Sequence, residues 1–224
     1  MGRIVATALL LTLAGTAAAM TVGRFSAGDL TGWQEQTFRG KRKTTYSLVK
    51  DGERTVLKAQ SRGSASGLVR TMSFDPKAQP WLRWSWKVAG TLTRGDEGVK
   101  GGDDYAARVY VIFPGTFFWQ TRAINYIWAN RLPKGASTPN PFAPRNVMMV
   151  AVESGGAGAG KWLSEERNVY EDYVRLFGEE PPRAEGVALM TDSDNTGGEA
   201  TAWDGDIVLA EKRKRLCSCC MRRW

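Results

Sequence analysis

The chain has 224 residues, with 31 Lys and Arg against 23 Asp and Glu, a formal net charge of +8 and no histidine. Without histidine there is no Ser-His-Asp or Cys-His nucleophile, no imidazole metal ligand and no imidazole pH switch, so acid–base chemistry falls to carboxylates, Tyr, Lys and Arg. The length suits one domain of sandwich or barrel type, and 42% apolar residues with nine Trp supply a large core.

Residues 1–19 join Arg3, an apolar run from Ile4 to Leu13 and the small residues Ala17-Ala18-Ala19. That is the basic start, short apolar centre and cleavage site of an export signal. The run is shorter than the ~20 residues a spanning helix needs. The expectation is a mature chain from Met20, periplasmic or secreted, with no transmembrane span after cleavage.

Short β-favouring runs follow: Trp33 to Phe38, Thr44 to Lys50, Arg54 to Gln60 and Gly67 to Phe74. Asp51-Gly52 between the second and third predicts a hairpin with a type I′ turn, since both residues tolerate positive φ. Leu82, Trp84, Trp86 and Val88 then alternate with Arg83, Ser85 and Lys87, the period of a strand with one buried face. Further strands are expected at Tyr105 to Phe113, Ala123 to Ala129, Asn146 to Val152, Val187 to Thr191 and Ala200 to Leu209. One helix is expected, capped by Ser164 with Glu165 and Glu166 in its first turn and ended by Gly178 and Pro181-Pro182. About ten strands and one short α-helix predict an all-β fold, a two-layer β-sandwich of jelly-roll-like form over residues 20–210.

Residues 211–224 contain six of the basic residues, one acid and all three cysteines, Cys217, Cys219 and Cys220. This tail carries five units of the net charge and Arg3 one more, so residues 20–210 keep only two. A nearly neutral body argues against a nucleic-acid partner. The spacing Cys-Ser-Cys-Cys lacks the paired form of a zinc module, and the tail reads as a disordered basic extension.

Four motifs bear on chemistry. Gly155 to Lys161 has the spacing of a phosphate-binding loop, but Trp162 stands where Ser or Thr must bind magnesium, so it reads as a loop before the helix. Asp192-Ser193-Asp194-Asn195-Thr196-Gly197 gathers oxygen ligands in a turn. Two readings stand: Asx hydrogen bonds holding a strand end, or a structural calcium ion on Asp192, Asp194 and Asn195. Gly102-Asp103-Asp104-Tyr105 puts paired carboxylates at a strand mouth with Arg108 further in, either a ligand-binding site or an internal ion pair. On the helix, Glu171 is spaced to pair with Arg167 and Arg175, while Asp172 fits neither pair and is free to turn inward. Trp119, Tyr126, Trp128, Tyr170 and Trp203 could stack on sugar rings, although core packing must absorb most of nine Trp.

The words Trp84-Ser85-Trp86-Lys87-Val88, Gly102 to Val111, Tyr126-Ile127-Trp128, Arg167 to Tyr173, Phe177 to Pro182 and Met190 to Gly197 resemble a bacterial exported family known as a domain of unknown function, number three-zero-four-seven. The resemblance covers most of residues 23–210. It implies an exported β-rich protein of Gram-negative bacteria and carries over no catalytic residue.

The functional expectation is a monomeric domain that binds a carbohydrate or cell-envelope glycan through Asp103, Asp104, Tyr105, Arg108, Trp128, Asp172, Asp192 and Asp194. The alternative is a carboxylate-based glycan hydrolase or lyase, which needs two carboxyl groups about 5–10 Å apart across a cleft. An envelope adaptor would instead show a large exposed apolar patch. Whether the acids and Arg108 meet in one open pocket separates these readings.

Overall fold

A computed structural model describes residues 19–213. The expected export signal and all three cysteines of the tail lie outside the described residues. In chain order the strands are β1 (Met20–Gly23), β2 (Trp33–Thr37), β3 (Thr45–Asp51), β4 (Arg54–Arg62), β5 (Ala65–Phe74), β6 (Trp81–Val88), β7 (Arg108–Phe113), β8 (Arg122–Ala129), β9 (Ser137–Pro139), β10 (Val147–Ser154), β11 (Leu163–Asn168), β12 (Ala184–Asp192), β13 (Glu199–Asp204) and β14 (Ile207–Ala210). One helix, α1 (Val169–Phe177), stands between β11 and β12.

The strands form two sheets of seven. One runs β1-β14-β6-β13-β4-β3 with β11 on the other side of β6, and the second runs β2-β5-β12-β7-β8-β10-β9. Every pair is antiparallel except β8 with β10. This is the two-layer, jelly-roll-like sandwich with one short helix that the alternating runs predict. Among the described residues no helix is long and apolar enough to cross a membrane.

Period-two alternation fills the space between the sheets. Leu82, Trp84, Trp86 and Val88 point inward from β6 and are buried. Trp84 meets Trp86 edge-on at 5.3 Å and Tyr126 at 5.5 Å, and Trp86 meets Trp128 at 5.7 Å. The outer face of β8 and β10 is also covered: Ile127, Ala129, Met149 and Ala151 form a second small core there with Tyr105 and Leu132.

Three local expectations are corrected. Ser164 caps nothing: residues 163–168 form β11, which pairs along β6 from Leu163 opposite Trp86 to Asn168 opposite Trp81. Helix α1 starts after Asn168, whose Oδ1 accepts from the Glu171 N–H at 3.1 Å, and it ends at Gly178 in the left-handed region. The first-turn carboxylates are therefore Glu171 and Asp172 rather than Glu165 and Glu166. A sheet edge in need of a partner outweighs the helix propensity of Glu and Arg.

The run from Ala200 to Leu209 breaks into β13 and β14 at Gly205-Asp206. The Gly205 N–H donates to the Ser85 carbonyl at 2.8 Å, and a Cβ on Gly205 would lie 2.2 Å from Ser85 Oγ. The hairpin at Asp51-Gly52 is present, but Asp51 pairs with Arg54. The loop is thus Gly52-Glu53, and only Gly52 has positive φ, at 63°, as a type II′ turn requires.

Candidate functional site

Arg108 opens β7 on the face of the second sheet that points away from the main core, with Tyr110 two residues on. Met190 of β12 lies opposite Arg108, and Asn125 of β8 lies opposite Tyr110. The segment before β7 folds over this face. Glu97 fixes it by accepting from the backbone N–H groups of Asn130 at 2.6 Å and Leu132 at 3.1 Å. Gly102 permits the tight return, since a Cβ there would stand 2.6 Å from the Asp96 nitrogen. The result is to bring Asp103, Asp104 and Tyr105 against the turn that follows β12.

Each residue takes a distinct place. Asp192 accepts from Arg108 Nε at 3.1 Å, from Arg108 Nη2 and from the Tyr105 N–H at 3.0 Å. Arg108 Nη2 also donates to the Asp103 carbonyl at 3.0 Å, and Nη1 lies 3.7 Å from the Asp103 carboxylate. Both Asp103 oxygens accept from Asn140 Nδ2 at 3.0 Å. Tyr105 lies under the guanidinium, its ring centroid 4.3 Å from Arg108 Cζ, and its hydroxyl donates to Met149 sulfur at 3.3 Å. Burial pushes that hydroxyl far above the usual phenol range, so Tyr105 is a neutral support.

Asp104 faces the turn instead of Arg108. It accepts from Thr196 N–H at 2.6 Å, Asn195 N–H at 3.3 Å and Asn195 Nδ2 at 3.1 Å. The expected Asx bonds are replaced by this contact and by Gly197 N–H donating to the Ser193 carbonyl at 3.0 Å. Asp194, its side chain 9% exposed, pairs with Lys41.

Asp103, Arg108, Asp192, Asp194 and Asn195 thus line one pocket of about 410 Å³, with Lys41, Asn140, Tyr110 and Met190. Phe38 and Phe142 stand at its rim and are 42% and 54% exposed. Apolar walls around a few convergent polar groups are the usual make-up of a small-molecule site. Carboxylate oxygens of Asp104, Asp192 and Asp194 lie within 4.8 Å of one another. Calcium prefers such oxygens, but here Arg108, Lys41 and backbone N–H groups already occupy them.

Two expected members stand elsewhere. Trp128 is wholly buried against Trp86, and its Nε1 donates to the Gly155 carbonyl at 3.0 Å. No sugar ring can reach it. Asp172 accepts from Tyr126 hydroxyl at 3.0 Å, from Arg167 Nε at 2.9 Å and Nη2 at 2.5 Å, and from Arg175 Nη2 at 3.0 Å. It therefore takes both arginines that the helical spacing assigns to Glu171, because Arg167 lies on β11 and not on the helix. Tyr126 is buried as well. Of the expected stacking residues, Trp119, Tyr170 and Trp203 reach the surface.

The Gly155 to Lys161 loop connects β10 to β11 rather than to a helix. Sequence reasoning missed Phe38, Lys41, Asn140 and Phe142. An aromatic residue among the polar residues of a turn, as in Phe38-Arg39-Gly40-Lys41, is the signal that marks such rims.

A family model described as "Protein of unknown function (DUF3047)" matches residues 31–208. The chain belongs to this family. The match includes every residue of the pocket, as the resemblance read from the sequence implies. No curated protein matches the chain.

Similar solved structures include a family 30 carbohydrate-binding module of a cellulosomal cellulase of Clostridium thermocellum, 7% identical, covering 88% of this chain and 99% of that one at a TM-score of 0.46. A family 29 carbohydrate-binding module is 10% identical over 93% and 99% of the two chains at 0.44. A xylan-binding module is 10% identical over 89% and 100% at 0.41. Likenesses of this order carry no argument about the ligand.

Proposed function

We propose that this family member is an exported, monomeric β-sandwich that binds a glycan, periplasmic or secreted once residues 1–19 are removed, with the ligand in the pocket above Arg108. The carrying observation is the convergence of Asp103 and Arg108 with Asp192 and Asp194, from two segments far apart in the chain, beneath two exposed phenylalanines. A sugar ring offers both kinds of surface that this site matches: an apolar face for Phe38 and Phe142, and hydroxyls for Asp194, Lys41 and Asn195.

Binding is favoured over hydrolysis by the state of the carboxylates. Asp103, Asp192 and Asp194 each already accept from an amide or a cation, whereas a glycosidase needs one carboxyl able to hand over a proton. The same occupancy favours direct ligand contact over a calcium bridge.

A glycan-array screen of the full-length protein tests the reading, followed by calorimetry with whatever oligosaccharide is retained. Phe142→Ala and Asp194→Ala are expected to weaken binding at least tenfold while leaving the fold intact. An array with no retained glycan, or binding that neither substitution touches, overturns it.

A further inference from the structure

The first sheet carries a second and larger groove of about 750 Å³, at the break between β13 and β14. Arg54, Arg83, Trp162, Glu166, Asp206 and Arg213 line it on the outer face of that sheet.

Its acceptors are taken. Both Asp206 oxygens accept from Ser26, at 2.8 Å from the backbone N–H and 2.5 Å from the hydroxyl. Glu166 accepts from Arg83 at 2.6 Å and from Arg213 at 3.3 Å, two cations on one acid.

The donors of Arg54 are not. The Arg54 guanidinium lies 5.1 Å from the Trp162 ring centroid. It makes no ion pair among the described residues, and the Asp51 beside it already accepts from Lys87 at 2.7 Å and from Trp162 Nε1 at 2.5 Å. Stacking holds the guanidinium plane ready without spending its hydrogens. Glu165 turns to the other face of the sheet: its Oε1 accepts from Trp86 Nε1 at 3.1 Å, and burial with the neighbouring Glu153 charge raises its carboxyl to about 7.

We infer that this groove is a second binding site, specific for a carboxylate-bearing sugar whose acid group meets Arg54 and whose ring lies along Trp162. Three arginines against two ionised acids leave one positive charge unmatched, and an acidic sugar supplies it. The inference does not depend on the pocket above Arg108, which lies on the opposite sheet.

Calorimetry of the full-length protein with an oligogalacturonate and with its neutral galactose counterpart tests it. The acidic ligand is expected to bind at least tenfold more tightly than the neutral one, and Arg54→Ala to remove that preference. Arg54 is exposed, so this variant keeps the fold, while Arg54→Lys restores only part of the affinity. Phe142→Ala, on the other pocket, is expected to leave oligogalacturonate binding unchanged. Equal affinity for the two ligands, a preference that survives Arg54→Ala, or loss of acidic-ligand binding in Phe142→Ala overturns the inference.

Discussion

Around Arg108 a single cation is held between Asp192 and Asp103, with all three side chains no more than 6% exposed. Around Asp172 a single carboxylate holds Arg167 and Arg175, whose side chains are 31% and 47% exposed. Similar pairing chemistry serves two ends because of what lies beyond each. The first cluster opens on a pocket with an aromatic rim, so its charges shape a site. The second lies between α1, β11 and the inward-facing Tyr126, so it pins the helix to the sandwich. What a charge cluster shapes depends on the space it faces, and its composition alone does not decide that.

The largest predicted effect separates the two clusters by stability. Arg108→Leu strands two buried carboxylates and is expected to cost about 3–5 kcal/mol, read as a lowered urea midpoint. Asp172→Asn leaves two arginines that can turn to water, so about 1–2 kcal/mol is expected from the same measurement. Equal losses would break the comparison.

Asp204 extends it to a buried carboxyl for which burial alone sets the titration, at about 7. Its folded state holds the proton more tightly than the unfolded chain, whose carboxyl titrates near 3.8. Its stabilising contribution is therefore complete below pH about 4 and is lost as pH rises through about 7. The slope is at most ~1.4 kcal/mol per pH unit. Asp204→Asn should flatten the midpoint-against-pH curve over that window, leaving a residual slope from Glu165.

Asn168→Ala removes the cap of α1 and should cost about 1 kcal/mol without altering ligand binding, which sharpens the reading of the Asp172 cluster as an anchor. Smallest of all, calcium should move the thermal midpoint by less than about 1 °C, because a cation must first displace Lys41 from Asp194.

Much of this was legible in the residues. Alternation placed Leu82, Trp84, Trp86 and Val88 inward, and the acidic words around Asp103 and Asp192 do meet. Strand β11 was hidden because Ser164-Glu165-Glu166-Arg167 satisfies helix rules locally, and only the pairing edge of β6 decides otherwise. Trp128 and Tyr126 were open to either reading because an aromatic strand residue looks the same whether it faces the core or solvent. The partners of Asp172 escaped because Arg167 belongs to a different element. Phe38 and Phe142 come from turns 104 positions apart, and no local pattern links them.

One pairing has a temporal meaning. Strand β1 finds its partner only in β14, with Met20 opposite Leu209, and β6 is completed by β11, β13 and β14. A growing chain therefore cannot close the first sheet until nearly all of it has been synthesised, and contacts of such long range make closure slow. Until then β6 has two raw edges and the Trp84 and Trp86 rings lie open to water and to other unfinished chains.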